Sequence, residues 1–214
     1  MGLIWSPRSN VFLYGLSTDL SKTTDIPTAL GAGIIVGLGP DWSLGGSQNM
    51  LDEIRFVDEV DDAEWGDILT PQDIVEMATI NGSELLATGD QIGALAVGMK
   101  ADIAVIGGDA SAPYDAILAA TPADVGLVLV DGVVLYGDDQ LEPLGNPSPG
   151  CEAIDVCEVA KFLCVAIDGG DASNKFGQTY AEIETALTDA LVAYDALDLS
   201  SWDFSPLTPL VTCP

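Results

Sequence analysis

Asp41 is the residue best placed to do chemistry in this sequence. It follows a continuous apolar run, Ile34-Ile35-Val36-Gly37-Leu38, and precedes a glycine-rich turn, Ser43-Leu44-Gly45-Gly46-Ser47. Such a run, bounded by glycines, reads as a strand buried on both faces of a parallel sheet. In parallel α/β folds reactive groups collect at the C-terminal edge of the strands. A carboxylate there can bind a cation, act as a general base, or cap the next helix. Ser9 and Asn10 follow a shorter apolar strand at residues 3–5 and reach the same edge if the two strands are parallel neighbours. Trp42 can stack on a planar substrate or pack under the helix that follows. Arg8 can pair with an acid on the rim or hold an anion.

Composition narrows the chemistry. The 214 residues contain 34 acidic and 6 basic side chains, a formal net charge of −28, and no histidine. Without histidine this chain makes no Ser-His-Asp triad, no Cys-His pair and no histidine-built zinc site of its own. The scarcity of Lys and Arg speaks against nucleic acid and against anionic membranes. The longest strongly apolar stretch, residues 32–38, falls far short of the roughly 20 residues a membrane span needs. At 48% hydrophobic the chain can bury a real core. The acids are spread along the whole length, which fits solubility or salt adaptation as well as any partner. The start, Met-Gly-Leu-Ile-Trp, lacks the pattern of a signal peptide and opens directly on a strand, which suggests an internal start.

The four cysteines, Cys151, Cys157, Cys164 and Cys213, all lie in the last third. Their C-x5-C-x6-C spacing fits zinc poorly. An even count in one segment points to two disulfides, with three possible connectivities. That implies an oxidising compartment, periplasmic or secreted; four buried thiols in a cytoplasmic protein are the alternative.

The elements that must position Asp41 follow from local pattern. Residues 24–33 read as a helix capped by Asp25, with Pro27 in the first turn. Strand, loop, helix, strand is the order of a βαβ unit. A helix begins near Gln48 and places Met50, Leu51, Ile54 and Val57 on one face. Residues 58–67 read as a solvated acidic loop. Thr70-Pro71-Gln72-Asp73 has the form of a capping box; its helix breaks at Asn81-Gly82 and resumes over 83–86. Strands are expected at 101–106, 125–130 and 133–136, the last two joined by the two-residue turn Asp131-Gly132. Residues 138–150 read as a linker, and the tail carries an amphipathic helix with Tyr180, Ile183, Leu187, Leu191 and Tyr194 on one side. Three further patterns are weak: Gly31-Ala32-Gly33 as a nucleotide loop, Asp168-Gly169-Gly170-Asp171 as a calcium loop, and Asn81-Gly82-Ser83 as a glycosylation sequon.

Several segments, in order, resemble the amidohydrolase superfamily. Residues Pro7-Arg8-Ser9-Asn10-Val11-Phe12-Leu13 are similar to its P-x-S-N-x-x-L segment, and Leu38-Gly39-Pro40-Asp41 to its L-G-T-D. Residues 69–86 resemble its L-T-x-x-E…A-T-x-N-G-A helix. Ile92-Gly93-Ala94-Leu95-Ala96-Val97-Gly98-Met99-Lys100-Ala101-Asp102-Ile103 resembles I-G-S-L-x-x-G-K-x-A-D-L. Residues 128–136 are similar to the closing V-x-V-x-G-x-x-V hairpin. The branch resembled includes guanine and cytosine deaminases, chlorohydrolases and imidazolonepropionase.

The resemblance implies an α/β chain. It would be the C-terminal part of a (β/α)8 TIM barrel, strands seven and eight (residues 1–90), with part of a flanking β-sandwich (91–137). A linker and Cys-containing helical tail would follow (138–214). It implies hydrolysis of a non-peptide C–N bond in a small molecule by metal-activated water. The divalent metal would be zinc or iron in the full-length enzyme, with none bound by this chain alone. Asp41 would be both catalytic residue and metal ligand, taking the water proton and passing it to the leaving nitrogen. Ser9, Asn10 and Trp42 would line the substrate mouth. The histidines that hold the metal in that family are absent, so the chain reads as a fragment needing an N-terminal barrel portion. Pro40 and Trp42 depart from the family pattern and leave the substrate open. Lys100-Ala101-Asp102 reads as structural. The alternative is a non-catalytic, acidic, secreted binding or structural module on the same fold remnant.

Overall fold

The structure, a computed structural model, describes residues 1–15, 19–41, 45–145, 150–166, 177–209 and 211–213. Two parallel strands, β1 (Gly2–Trp5) and β2 (Ile35–Leu38), pair in the register Gly2↔Ile35 to Trp5↔Leu38. Strand side chains alternate between faces. Leu3, Trp5, Val36 and Leu38 therefore share one face, packed with Ile26, Ile54, Val57, Ile74 and Met77. Burial on both faces of 34–38 is incomplete: Ile35 is 38% exposed, and Ile4 beside it 49%.

The crossover between these strands differs from expectation. The segment carrying Ser9 and Asn10 is a helix, α1 (Pro7–Tyr14), rather than a loop. Pro7 sits in the first turn, where its missing N–H costs nothing and its fixed φ already suits a helix. The second helix, α2 (Ile26–Gly31), is the expected one, with the Asp25 carboxylate accepting the Thr28 N–H at 3.1 Å.

Next comes α3 (Met50–Val60), capped by Asn49, whose Oδ1 accepts the Asp52 N–H. Residues 58–67 are no solvated loop. The α-helix runs to Val60 and passes into a π-helical turn, Asp61–Trp65. Asp61 is buried, and its two oxygens accept the Ile68 and Leu69 N–H groups. Trp65 returns to the core against Trp5, ring centroids 5.5 Å apart.

The capping box at Thr70 and Asp73 is present and opens α4 (Pro71–Ala78). The break falls at Thr79, earlier than expected, and Asn81-Gly82 lie inside α5 (Ile80–Leu85). Asn81 has a structural task. The Asn81 amide donates to the Val36 carbonyl at 2.9 Å, which accounts for the side chain of the sequon. The glycine that lets α5 approach β2 closely is Gly37: a Cβ there would meet the Gly82 Cα at 3.3 Å, whereas a Cβ on Gly82 would meet nothing within 4 Å.

The second sheet contains β3 (Ile103–Ile106), β4 (Val125–Val130), β5 (Val133–Asp138), β6 (Glu152–Val156) and β7 (Val159–Leu163). Their order is β3-β4-β5-β7-β6, all antiparallel. Helix α6 (Pro113–Ala119) lies between β3 and β4 in sequence. Asp131 and Gly132 both have positive φ (51° and 80°), as a tight primed hairpin turn requires. Lys100-Ala101-Asp102 dresses that turn: the Asp102 carboxylate accepts the Asp131 N–H, and Lys100 pairs with Asp131 at 3.1 Å.

The segment from 138 onward holds more than a linker and a helix. A 3-10 turn, Asp139–Leu144, leads to the β6–β7 hairpin, which extends the sheet through Tyr136↔Leu163, Gly137↔Phe162 and Asp138↔Lys161. Lys161 is buried and donates to the carbonyls of Ala123 and Val125 and to Asp138. Disulfides join Cys151 to Cys164 and Cys157 to Cys213, which settles the connectivity. The tail helix is α7 (Tyr180–Asp195), and none of its described residues is fully buried. Among the described residues no helix is long and apolar enough to cross a membrane. The Asp168–Asp171 pattern lies outside the described residues.

Candidate functional site

The parallel pairing of β1 and β2 is accompanied by the meeting of two of the expected residues, Ser9 and Asp41. Asp41 lies three residues beyond the end of β2 and is exposed. Ser9 lies in the first turns of α1 and is buried. Its hydroxyl donates to Asp41 Oδ2 at 2.6 Å, across 32 residues of sequence. A short hydrogen bond to an ionised carboxylate is among the stronger kinds, and this one fixes where the Asp41 head group sits.

Asn10 is turned to a different task. Its Oδ1 accepts from the backbone N–H and the hydroxyl of Thr24, both at 3.4 Å, which ties α1 to the segment before α2. Arg8 lays its guanidinium over the Phe56 ring, 4.7 Å from the centroid, an attraction between a cation and the negative face of the ring. Trp42 lies outside the described residues.

Beneath this edge is a residue that the sequence reading passed over. Glu53, on α3, is completely buried, and its Oε2 accepts the backbone N–H of Arg8 at 3.2 Å. Burial pushes its carboxyl above the ordinary range, while the Arg8 N–H and the Arg8 charge pull it partly back. Among the described residues, the buried atoms Trp5 Nε1, Arg8 Nε, Ser47 Oγ and Glu53 Oε1 make no hydrogen bond. The available signal was spacing. Glu53 stands four residues before Val57 and seven before Val60, on the buried stripe of its helix.

The described residues do not assemble the ligand set that zinc requires. Zinc takes four ligands, of which the protein supplies at least three. Asp41 is a single carboxylate engaged by a serine, the sequence has no histidine, and no group of three or more His, Cys, Asp or Glu able to hold a metal occurs among the described residues.

Comparison with known proteins identifies the family. The model of the amidohydrolase family matches residues 19–135, more than half of the chain and inclusive of Asp41. An S-triazine hydrolase of Gordonia rubripertincta is 34% identical over 134 residues, covering 57% of this chain and 28% of that protein. A 5-methylthioadenosine/S-adenosylhomocysteine deaminase of Desulforudis audaxviator is 32% identical over 148 residues, covering 64% and 33%. Among solved structures, Escherichia coli guanine deaminase superposes with a TM-score of 0.53 at 20% identity, covering 64% of this chain and 33% of that one. A triazine hydrolase variant gives 0.50 at 26% identity, covering 63% and 30%. An adenosine deaminase from Xanthomonas campestris with bound zinc gives 0.51 at 22%, covering 61% and 31%. The chain thus spans about a third of the length of these relatives. It belongs to the amidohydrolase family.

Proposed function

We propose that this chain is the C-terminal part of a hydrolase that cleaves a non-peptide C–N bond in a small molecule, with Asp41 as its acid–base residue. The observation that carries the reading is the buried Ser9 hydroxyl bonded to Asp41 at the C-terminal edge of two parallel strands. In a (β/α)8 barrel that edge bears the active site. On this reading β1 and β2 are strands seven and eight, and β3–β5 are part of the flanking sandwich. The names of the relatives support a nitrogen heterocycle bearing an amine or similar leaving group as the substrate class.

The chemistry assigned to the chain's own residues is proton transfer. The Ser9 hydrogen bond holds Oδ2 and fixes the carboxylate plane. Oδ1 accepts the proton of the attacking water and returns it to the departing nitrogen. The metal ligands that this chain lacks, whether for zinc or for iron, belong to the N-terminal barrel portion, and the chain alone is inactive. The two disulfides support a periplasmic or secreted location.

The test is substitution of Asp41 in the protein joined to that portion. Asp41→Asn keeps size and polarity and removes the proton acceptor. Turnover of an amino-substituted heterocycle should fall by about 10²- to 10⁴-fold. Retention of wild-type turnover by Asp41→Asn would overturn the assignment.

A further inference from the structure

Helix α1 has no N-terminal cap of its own. Ser6 occupies the cap position with φ −110° and ψ 83°, and its side chain makes no capping hydrogen bond. The early N–H groups of a helix need acceptors from elsewhere. One acceptor comes from 45 residues away: Glu53 Oε2 takes the Arg8 N–H at the start of the helix. The next residue, Ser9, donates to Asp41. Glu53, the first turns of α1, Ser9 and Asp41 thus form one connected line from the core to the rim.

Burial gives the line direction. Glu53 and Ser9 are both buried and have no room to wander, whereas Asp41 is exposed. An exposed carboxylate samples many rotamers unless something holds it. Here the holding group is a serine whose own height is set by where the helix starts. The Arg8 side chain, clamped on Phe56 of α3, pins the same turn to the same helix as Glu53. Two contacts with α3 therefore define the start of α1, one through the backbone and one through the side chain.

We infer that Glu53 is a positioning residue for Asp41: by capping α1 from the core it sets the depth of Ser9, and through Ser9 the place of the carboxylate. This rests on the reading of Asp41 as the acid–base residue, but the linkage itself is measurable without turnover.

The experiment uses the chain as it stands, labelled with ¹³C and ¹⁵N, at one fixed pH. The position of the Asp41 Cγ resonance reports the Ser9 bond, with Ser9→Ala defining the unbonded position. Glu53→Gln keeps an acceptor for the Arg8 N–H and leaves the Asp41 resonance at its wild-type position. Glu53→Leu removes the acceptor, moves the Asp41 resonance toward the Ser9→Ala position, and speeds hydrogen exchange at the Asn10 amide by about tenfold. That amide bonds the Ser6 carbonyl in the first helical turn, which reports fraying directly. Ser6→Asp supplies a local cap, so the double variant Ser6→Asp/Glu53→Leu restores both readouts. A merely structural role for Glu53 would alter stability without moving Asp41 and would show no rescue.

An Asp41 resonance unchanged in Glu53→Leu, or equally displaced in Glu53→Gln, overturns the inference. If Glu53→Leu does not fold, the Glu53→Gln and Ser9→Ala pair still decides: coincident Asp41 shifts in these two variants overturn it. Wild-type turnover by Asp41→Asn, with the resonance linkage intact, would sink the catalytic reading and leave the linkage standing.

Discussion

Replacing Lys161 by Met should cost more stability than any substitution on the exposed surface. The side chain is 1% exposed, and its ammonium has three acceptors: Ala123 O at 2.7 Å, Val125 O at 3.0 Å and Asp138 Oδ1. Met fills similar volume and removes all three bonds. Breaking a buried ion pair from one side costs about 3–5 kcal/mol. Asp138 keeps 31% exposure and can return to water, which places the loss at the lower end, about 3 kcal/mol. For a chain of this size that lowers Tm by about 6–12 °C. Thermal and urea unfolding followed by circular dichroism measure it. Asp138→Asn keeps an oxygen acceptor and should cost about 1 kcal/mol. A Lys161→Met protein melting within about 2 °C of wild type would show that the ammonium is not what holds β7 against β4 and β5. A larger loss from Asp138→Asn than from Lys161→Met would refute the ordering.

The two disulfides should differ in worth. They close loops of 13 and 56 residues, and loop entropy gives about 3 kcal/mol for Cys151–Cys164 against about 4 kcal/mol for Cys157–Cys213; Cys→Ser pairs compared by urea unfolding give the ranking, and the reverse order would count against an entropic origin. Tyr136 should titrate late, because burial first, and then the Asp138 charge, pushes its hydroxyl up to about 12 from 10.0. The folded state holds that proton longer than the unfolded chain, so its contribution to stability is full below pH 10 and is lost as pH rises toward 12. Absorbance at 295 nm shows the late step, and Tyr136→Phe removes it.

Legibility in the sequence followed locality. Asp25 before Ile26-Pro27, Thr70-Pro71-Gln72-Asp73 and Asp131-Gly132 carry their structure in adjacent residues, and each element formed where those residues placed it. The β6–β7 turn was hidden because it sets Cys157 and Glu158 at φ 54° and 67°, a conformation normally announced by Gly or Asn. There the disulfide to Cys213 and the bond from the Glu158 N–H to Asp155 accompany a turn with no glycine in it. Asp61 looked like one acid among many, and only its two backbone partners seven and eight residues later reveal a buried cap. At the candidate site, Ser9 and Asp41 were readable as edge residues of neighbouring strands. That Ser9 stands on a helix, and that Glu53 caps this helix, depends on a contact 45 residues away that no local pattern encodes.

Four of the six basic side chains are spent at short range. Arg55 is held by Asp52, Lys100 by Asp131, Lys161 by Asp138, and Arg8 by the face of Phe56. Little positive charge is left to offset a net −28 at distance. Beyond each local pair the molecule therefore presents an almost unbroken anionic field, whose self-repulsion opposes compaction. Mobile counterions shorten its reach from about 10 Å at 0.1 M to about 3 Å at 1 M ionic strength. Concentrated electrolyte thus relieves that repulsion without touching Lys161, which is sealed from it, so the same charges that strain the fold in dilute buffer are tolerated in brine.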